Sequence, residues 1–109
     1  RITARIEMGD PPPPAAVGRT AYRIAQEGFT NARKHAPGPA VTLTVDAAGS
    51  HLHVEVRSLA PVAVAAAAPP PGAGTGLIGL AERVSLAGGT LEHGVDPDGA
   101  FVLRASLPR

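Results

Sequence analysis

The chain contains no cysteine and no tryptophan, and its aromatic residues are only Tyr22, Phe29 and Phe101. The missing cysteines exclude disulfides and thiolate metal sites and suit a reducing compartment. With so few aromatics, the core has to be built from Ala, Val, Leu and Ile. No apolar run approaches the roughly 20 residues of a membrane-spanning helix, and no signal-peptide pattern opens the chain. Long basic runs are absent too, and the formal net charge is +1, so no nucleic-acid partner is expected. What is present is 109 residues, 44% of them hydrophobic, enough for one domain (1–109) with a single modest core. The chain opens on Arg1 without methionine, which leads to the expectation of a piece cut from a longer protein.

Ile2, Ala4 and Ile6 alternate with polar residues, the period-two signature of a half-buried strand. Gly9-Asp-Pro-Pro-Pro-Pro14 ends it and reads as a stiff spacer. A helix is expected to start near Val17 to Thr20 and to run to Ala36, where Pro37 and Pro39 stop it. Val41, Leu43 and Val45, then Leu52, Val54 and Val56, predict a hairpin about Ala47–Ser50. His51, His53 and Glu55 lie on that hairpin and read as solvent-facing positions rather than metal ligands. Residues 59–73 have neither charge nor periodicity and read as a long lid-like loop of low local stability. Leu77, Leu80, Ala81 and Val84 mark the buried stripe of a second helix, with Thr75 as its N-cap and Gly88-Gly89 as its terminator. Thr90–Val95 and Ala100–Leu107 predict a closing hairpin around the Asp96-Pro-Asp-Gly99 turn, with both acids as turn formers. The residues by themselves indicate a two-layer α+β domain.

The first helix carries the chemistry. Ala21, Ala25, Gly28 and Ala32, with Phe29 beside them, form its apolar stripe. At about 100° per residue, Glu27, Asn31 and Lys34 fall on one line away from that stripe, with His35 at its edge. A solvated face with a Glu–Lys pair would account for the line. The whole string, Gln-Glu-x-x-x-Asn-x-x-Lys-His-Ala over residues 26–36, resembles the N box of sensor histidine kinases and the wider GHKL ATPase family. Gly-x-Gly-Leu-x-Gly-Leu-x-Glu-Arg-Val over 74–84 is similar to the G2 box of the same kinases, most closely the subfamily paired with helix-turn-helix response regulators. Gly-Gly-Thr-Leu-Glu and the hairpin after it resemble that family's C-terminal end.

The resemblance implies the GHKL, or Bergerat-type, α/β sandwich: a mixed, mostly antiparallel sheet with helices on one face. It implies a catalytic domain that binds ATP and Mg²⁺ and donates the γ-phosphate to a histidine. Asn31 would be the metal ligand and Glu27 the group that orients or deprotonates the attacking group. Lys34 would neutralise phosphate charge, and His35 would lie against the ribose or phosphates. Gly74, Thr75, Gly76, Leu77 and Gly79 would supply backbone N–H groups to the phosphates. The expected partners are ATP, a phosphoacceptor helical domain of the parent kinase outside this fragment, and through the parent a response regulator. The parent would be a cytoplasmic or membrane-anchored homodimer, with this domain in the cytoplasm. None of His35, His51, His53 or His93 has the context of a phosphoacceptor, so the piece alone should bind nucleotide without phosphorylating itself.

The chain departs from the family at one box. Where the family has Asp-x-Gly-x-Gly, whose Asp accepts from the adenine amino group, this chain has Ser58-Leu-Ala-Pro-Val62. Weak ATP binding and poor discrimination against GTP are therefore expected at Ser58. A serine kinase of the anti-sigma type and a degenerate, non-catalytic binding module are the alternatives.

Overall fold

The computed structural model describes residues 2–35, 40–59 and 73–109, with side chains throughout except at 33–35, 59 and 73–76. Five strands, β1 (Ile2–Glu7), β2 (Ala40–Ala48), β3 (His51–Leu59), β4 (Thr90–Val95) and β5 (Phe101–Pro108), accompany helices α1 (Ala15–His35) and α2 (Ala73–Leu86). They make a single sheet in the order β1-β2-β3-β5-β4. β1 and β2 run parallel, while every other pairing is antiparallel. This is the mixed α+β sandwich expected. The expected lid over 59–73 lies, between Leu59 and Ala73, outside the described residues.

The parallel pair dictates α1, because parallel neighbours need a crossover connection. The helix begins at Ala15, two residues before the expected range, because the Pro14 carbonyl accepts from the N–H groups of Val17 and Gly18 at 3.0 and 3.2 Å. Ala36, the expected last residue, lies outside the described residues. Alternation on β2, β3 and β5 sends Val41, Leu43, Val45, Leu52, Val54, Val56, Leu103, Ala105 and Leu107 to one face. There they meet Ala21, Ile24, Ala25 and Ala32 of α1 and Leu80 and Val84 of α2. Gly28 lets the two layers close: a Cβ on it would stand 2.6 Å from the Cβ of Val56.

β1 is not half-buried. All six of its residues are exposed, with Ile2 and Ile6 each at 60%. Its register pairs Ile2 with Val41 and Ile6 with Val45, which aims both toward the helical layer. α1, however, packs over β3 and β5 and touches β2, so the edge strand is left uncovered.

On α2, Leu80 and Val84 are buried and Leu77 is half-buried, but Ala81 is exposed. The helix packs on α1 and β4, a contact too narrow to reach Ala81. It ends as expected. Gly88 adopts a positive φ of 82°, and the N–H groups of Gly88 and Gly89 donate to the carbonyls of Ser85 and Val84 at 3.0 and 2.9 Å, which is the Schellman pattern.

Asp96 and Asp98 form the β4–β5 turn and do more besides. The Asp98 Oδ1 accepts from the Ala100 N–H, and Arg57 on β3 donates to both carboxylates, at 2.7 Å to Asp96. The Asp98 carboxyl is held below the usual carboxylate range, first by the Ala100 N–H and then by Arg57. His51 and His53 stack with ring centroids 6.5 Å apart, while Glu55 pairs with Arg104. Among the described residues no group of three ligands stands ready for a metal.

Candidate functional site

The polar face of α1 runs beside α2, and between them lies a groove of about 470 Å³ lined by Arg23, Gln26, Glu27, Thr30, Gly79, Leu80 and Arg83. Glu27 and Gly79 were expected at a site, and both line this groove. A Cβ on Gly79 would meet nothing within 4 Å, so that wall is open. Arg23, Gln26, Thr30 and Arg83 were not anticipated. The signal for the first three was in the sequence, since 23, 26, 27 and 30 follow the i, i+3, i+4, i+7 spacing of one helical face. Arg23 and Arg83 have no ion-pair partner among the described residues. With Glu27 the one carboxylate beside two guanidiniums, the groove lining is net positive, which favours an anionic occupant.

Asn31 is not on the exposed line. It is 0% exposed, and both its Oδ1 and its Nδ2 lack a hydrogen-bond partner among the described residues. The reason lies seven residues earlier: Ile24 shares its azimuth on the helix and is likewise 0% exposed. The buried face of α1 is wider than the alanine stripe, and it takes in Asn31. Ser58 is the next inward-facing residue of β3 after Val54 and Val56. It is 2% exposed, and its Oγ also lacks a partner among the described residues. A solvated hydroxyl at a strand end is thereby excluded.

The topology carries the helix turn of Asn31 toward the strand end at Ser58. Parallel β1 and β2 flank the crossover, so α1 runs back against them and in the direction of β3. Gly28 sits on Val56, and the next turn of α1, carrying Asn31 and Ala32, advances toward Ser58. Asn31 and Ser58 are the only buried polar side chains among the described residues. Protein interiors pair nearly all such groups, and leaving one unpaired costs about 1–3 kcal/mol. The unpaired amide oxygen is a hard donor of the kind Mg²⁺ takes, so the residue present fits that ion.

The remaining expected residues are placed by backbone. Lys34 and His35 are in the last turn of α1, with side chains outside the described residues. Gly74, Thr75 and Gly76 lie within the first turn of α2, with the Thr75 side chain also outside them. Thr75 is the third residue of that helix and not its N-cap, because the helix starts at Ala73. This turn has free N–H groups and the positive end of the helix dipole. Leu77 is half-buried and packs against the core.

Among the solved structures that resemble this one are histidine kinases. The Erythrobacter litoralis EL346 blue-light activated histidine kinase aligns at TM-score 0.72 and 18% identity, over 99% of this chain and 35% of that one. This chain has a histidine kinase domain fold. Acinetobacter baumannii AdeS shares the kinase fold at TM-score 0.62 and 9% identity, over 83% of this chain and 46% of its own. ShkA, solved full-length in complex with AMPPNP, shares it at TM-score 0.61 and 21% identity, over 82% of this chain and 21% of ShkA. The chain thus spans between about a fifth and a half of these kinases. No family model matches it, and no curated protein matches it.

Proposed function

We propose that this domain binds Mg²⁺–ATP between α1 and α2 and donates the γ-phosphate to a histidine on another domain of a sensor kinase. The observation that carries the reading is Asn31: a buried amide with no partner among the described residues, on a helix that lines an electropositive groove, in a kinase fold. The AMPPNP complex of ShkA, which shares that fold, supports a nucleotide as the occupant.

In this reading Asn31, through its amide oxygen, holds the metal. Bound Mg²⁺ would supply charge neutralisation to the phosphates. The free N–H groups of the first α2 turn, from Gly74 to Leu77, point at the anion and bind it with no side chain required. Gly79 leaves room along the same wall. Arg23 and Arg83 raise the local positive potential, and Lys34 is assigned the neutralisation of phosphate charge by the resemblance. Glu27, a carboxylate on the groove wall, orients the attacking imidazole or takes its proton. The nitrogen–phosphorus bond forms as the bond between the γ-phosphorus and the β–γ bridging oxygen breaks, and that oxygen leaves with ADP. Positioning and charge supply most of the catalysis in such a transfer.

A second reading, a binding module without turnover, is favoured by Ser58, which puts a neutral hydroxyl rather than a carboxylate at the sheet end. One experiment separates the two. The domain is supplied with ATP, Mg²⁺ and the phosphoacceptor domain of its parent kinase, and acceptor phosphorylation is followed beside calorimetric binding. Mg²⁺-dependent binding with transfer, lost in Glu27→Gln, supports the kinase. Binding without transfer supports the module. Absence of any nucleotide binding contradicts both.

A further inference from the structure

The β1 edge of the sheet is open. β1 pairs with β2 on one side and ends the strand order, so among the described residues no strand meets its other side. All six of its residues are exposed. Sheets blunt such edges with inward-pointing polar groups, proline, bulges or a covering element. The opposite edge is managed in this way: β4 sets His93 opposite Leu103 on the helix-bearing face, and α2 packs on that strand. β1 has no such device. It turns Ile2, Ala4 and Ile6 to the helix-bearing face, and its register against β2 is unbroken by any bulge.

We infer that β1 is a self-association edge, which pairs antiparallel with β1 of a second copy of this chain about a two-fold axis at Ala4 and joins the two five-stranded sheets into one. The order of residues in the strand points to this occupant. Pairing about Ala4 sets Ile2 against Ile6 of the other copy, Ala4 against Ala4, and Thr3 against Arg5. The apolar face meets only apolar residues, and the contact is self-complementary, as a two-fold interface requires. A slip of one residue sets Ile2 against Glu7, and a slip of two sets Arg5 against Arg5, like charges directly opposed. In the Ala4-centred register the two Arg5 are only diagonal neighbours, each with Glu7 two residues along the same strand face. Four isoleucines gather over the junction, where α1 does not reach, and Ile2 and Ile6, each 60% exposed in the single chain, give up surface to one another. Val41 and Val45, their neighbours on β2, are already buried, so the cluster extends the core outward. The contact is independent of the nucleotide reading.

Sedimentation equilibrium of the 109-residue chain tests this. Two six-residue strands make a small interface, in the class below about 1,200 Å² that forms weak complexes. The measured mass should therefore rise from 11.0 kDa toward twice that value between about 10 µM and 1 mM protein. Ile6→Lys, at an exposed position, keeps the thermal transition and weakens association by about tenfold or more. Because the chain has no cysteine, Ala4→Cys reads the register. Position 4 of one copy stands opposite position 4 of the other, within the Cα separation of a disulfide, so mild oxidation links the dimer. In Glu7→Cys the two thiols lie about 20 Å apart along the strands and stay unlinked. A chain that remains monomeric at about 1 mM overturns the inference, as does association that Ile6→Lys leaves unchanged. Failure of Ala4→Cys to cross-link, or equal cross-linking in Glu7→Cys, overturns it too. So does growth beyond a dimer, since a two-fold pairing consumes the edge that it uses.

Discussion

Asn31 sits fully buried with two polar atoms unpaired among the described residues, an arrangement that works against stability and that the proposed ligand would complete. An unpaired buried amide costs about 1–3 kcal/mol, and apolar replacements of similar shape recover such losses. Asn31→Leu should therefore raise unfolding free energy by about 1 kcal/mol, measured by urea denaturation without nucleotide. A loss of 2 kcal/mol or so instead would mean that the amide has partners and is structural. Asn31 was legible in the sequence as a functional residue, through the string around it. Its burial was not, because the stripe of Ala21, Ala25, Gly28 and Ala32 leaves out Ile24, which shares the azimuth of Asn31 and widens the buried face. Ser58 was legible as a departure from a pattern, but only packing shows that its hydroxyl is enclosed. The groove arginines were missed for a different reason: Arg83 comes from a second helix, and no single-helix periodicity brings it to Arg23.

The fit between α1 and the sheet depends on Gly28. A methyl there would press on Val56 at 2.6 Å, and the contact is with the branched root of the side chain, which cannot swing away. Overpacking costs about 1–3 kcal/mol, against about 1 kcal/mol gained in helix propensity. Gly28→Ala should therefore lower stability by about 1 kcal/mol, and Gly28→Ala with Val56→Ala should lose less than the sum of the single changes. Additive losses in a double-mutant cycle would show that the layers do not meet there. The β4–β5 turn carries a pH signature. The folded Asp98 carboxyl is held below its usual range by the Ala100 N–H and then by Arg57, so the ionised form is favoured by folding. Its contribution is present above the usual carboxylate range and is lost as pH falls through the lowered folded value. Asp98→Asn should flatten that part of the acid limb of stability. Superimposable acid limbs for the two proteins would refute the assignment. The hairpins and both helices were legible from periodicity and turn residues. The exposure of β1 was not, since alternation shows which way Ile2 and Ile6 point but not whether a helix covers them.

At the scale of the molecule, the sheet order β1-β2-β3-β5-β4 places β5 inside the sheet, between β3 and β4, and β4 at its edge. Short-range pattern could not supply that order: a closing hairpin fits either way round, and the family resemblance supplied the architecture instead. None of the described helices is long and apolar enough to cross a membrane. The kinases that share the fold extend well beyond the span this chain covers, and the proposal assigns to such a remainder the phosphoacceptor histidine, the dimer contact and the response-regulator partner. The central claim, that Asn31 is kept buried and unpaired to bind a metal–nucleotide complex, belongs to the domain itself. Calorimetric titration of ATP into wild-type and Asn31→Ala protein, each with Mg²⁺ and with Mg²⁺ chelated, tests it most directly. The account predicts binding to the wild type that needs Mg²⁺, and loss of that Mg²⁺-dependent component in a mutant whose thermal transition is retained. Equal Mg²⁺–ATP affinity in the two folded proteins would contradict it.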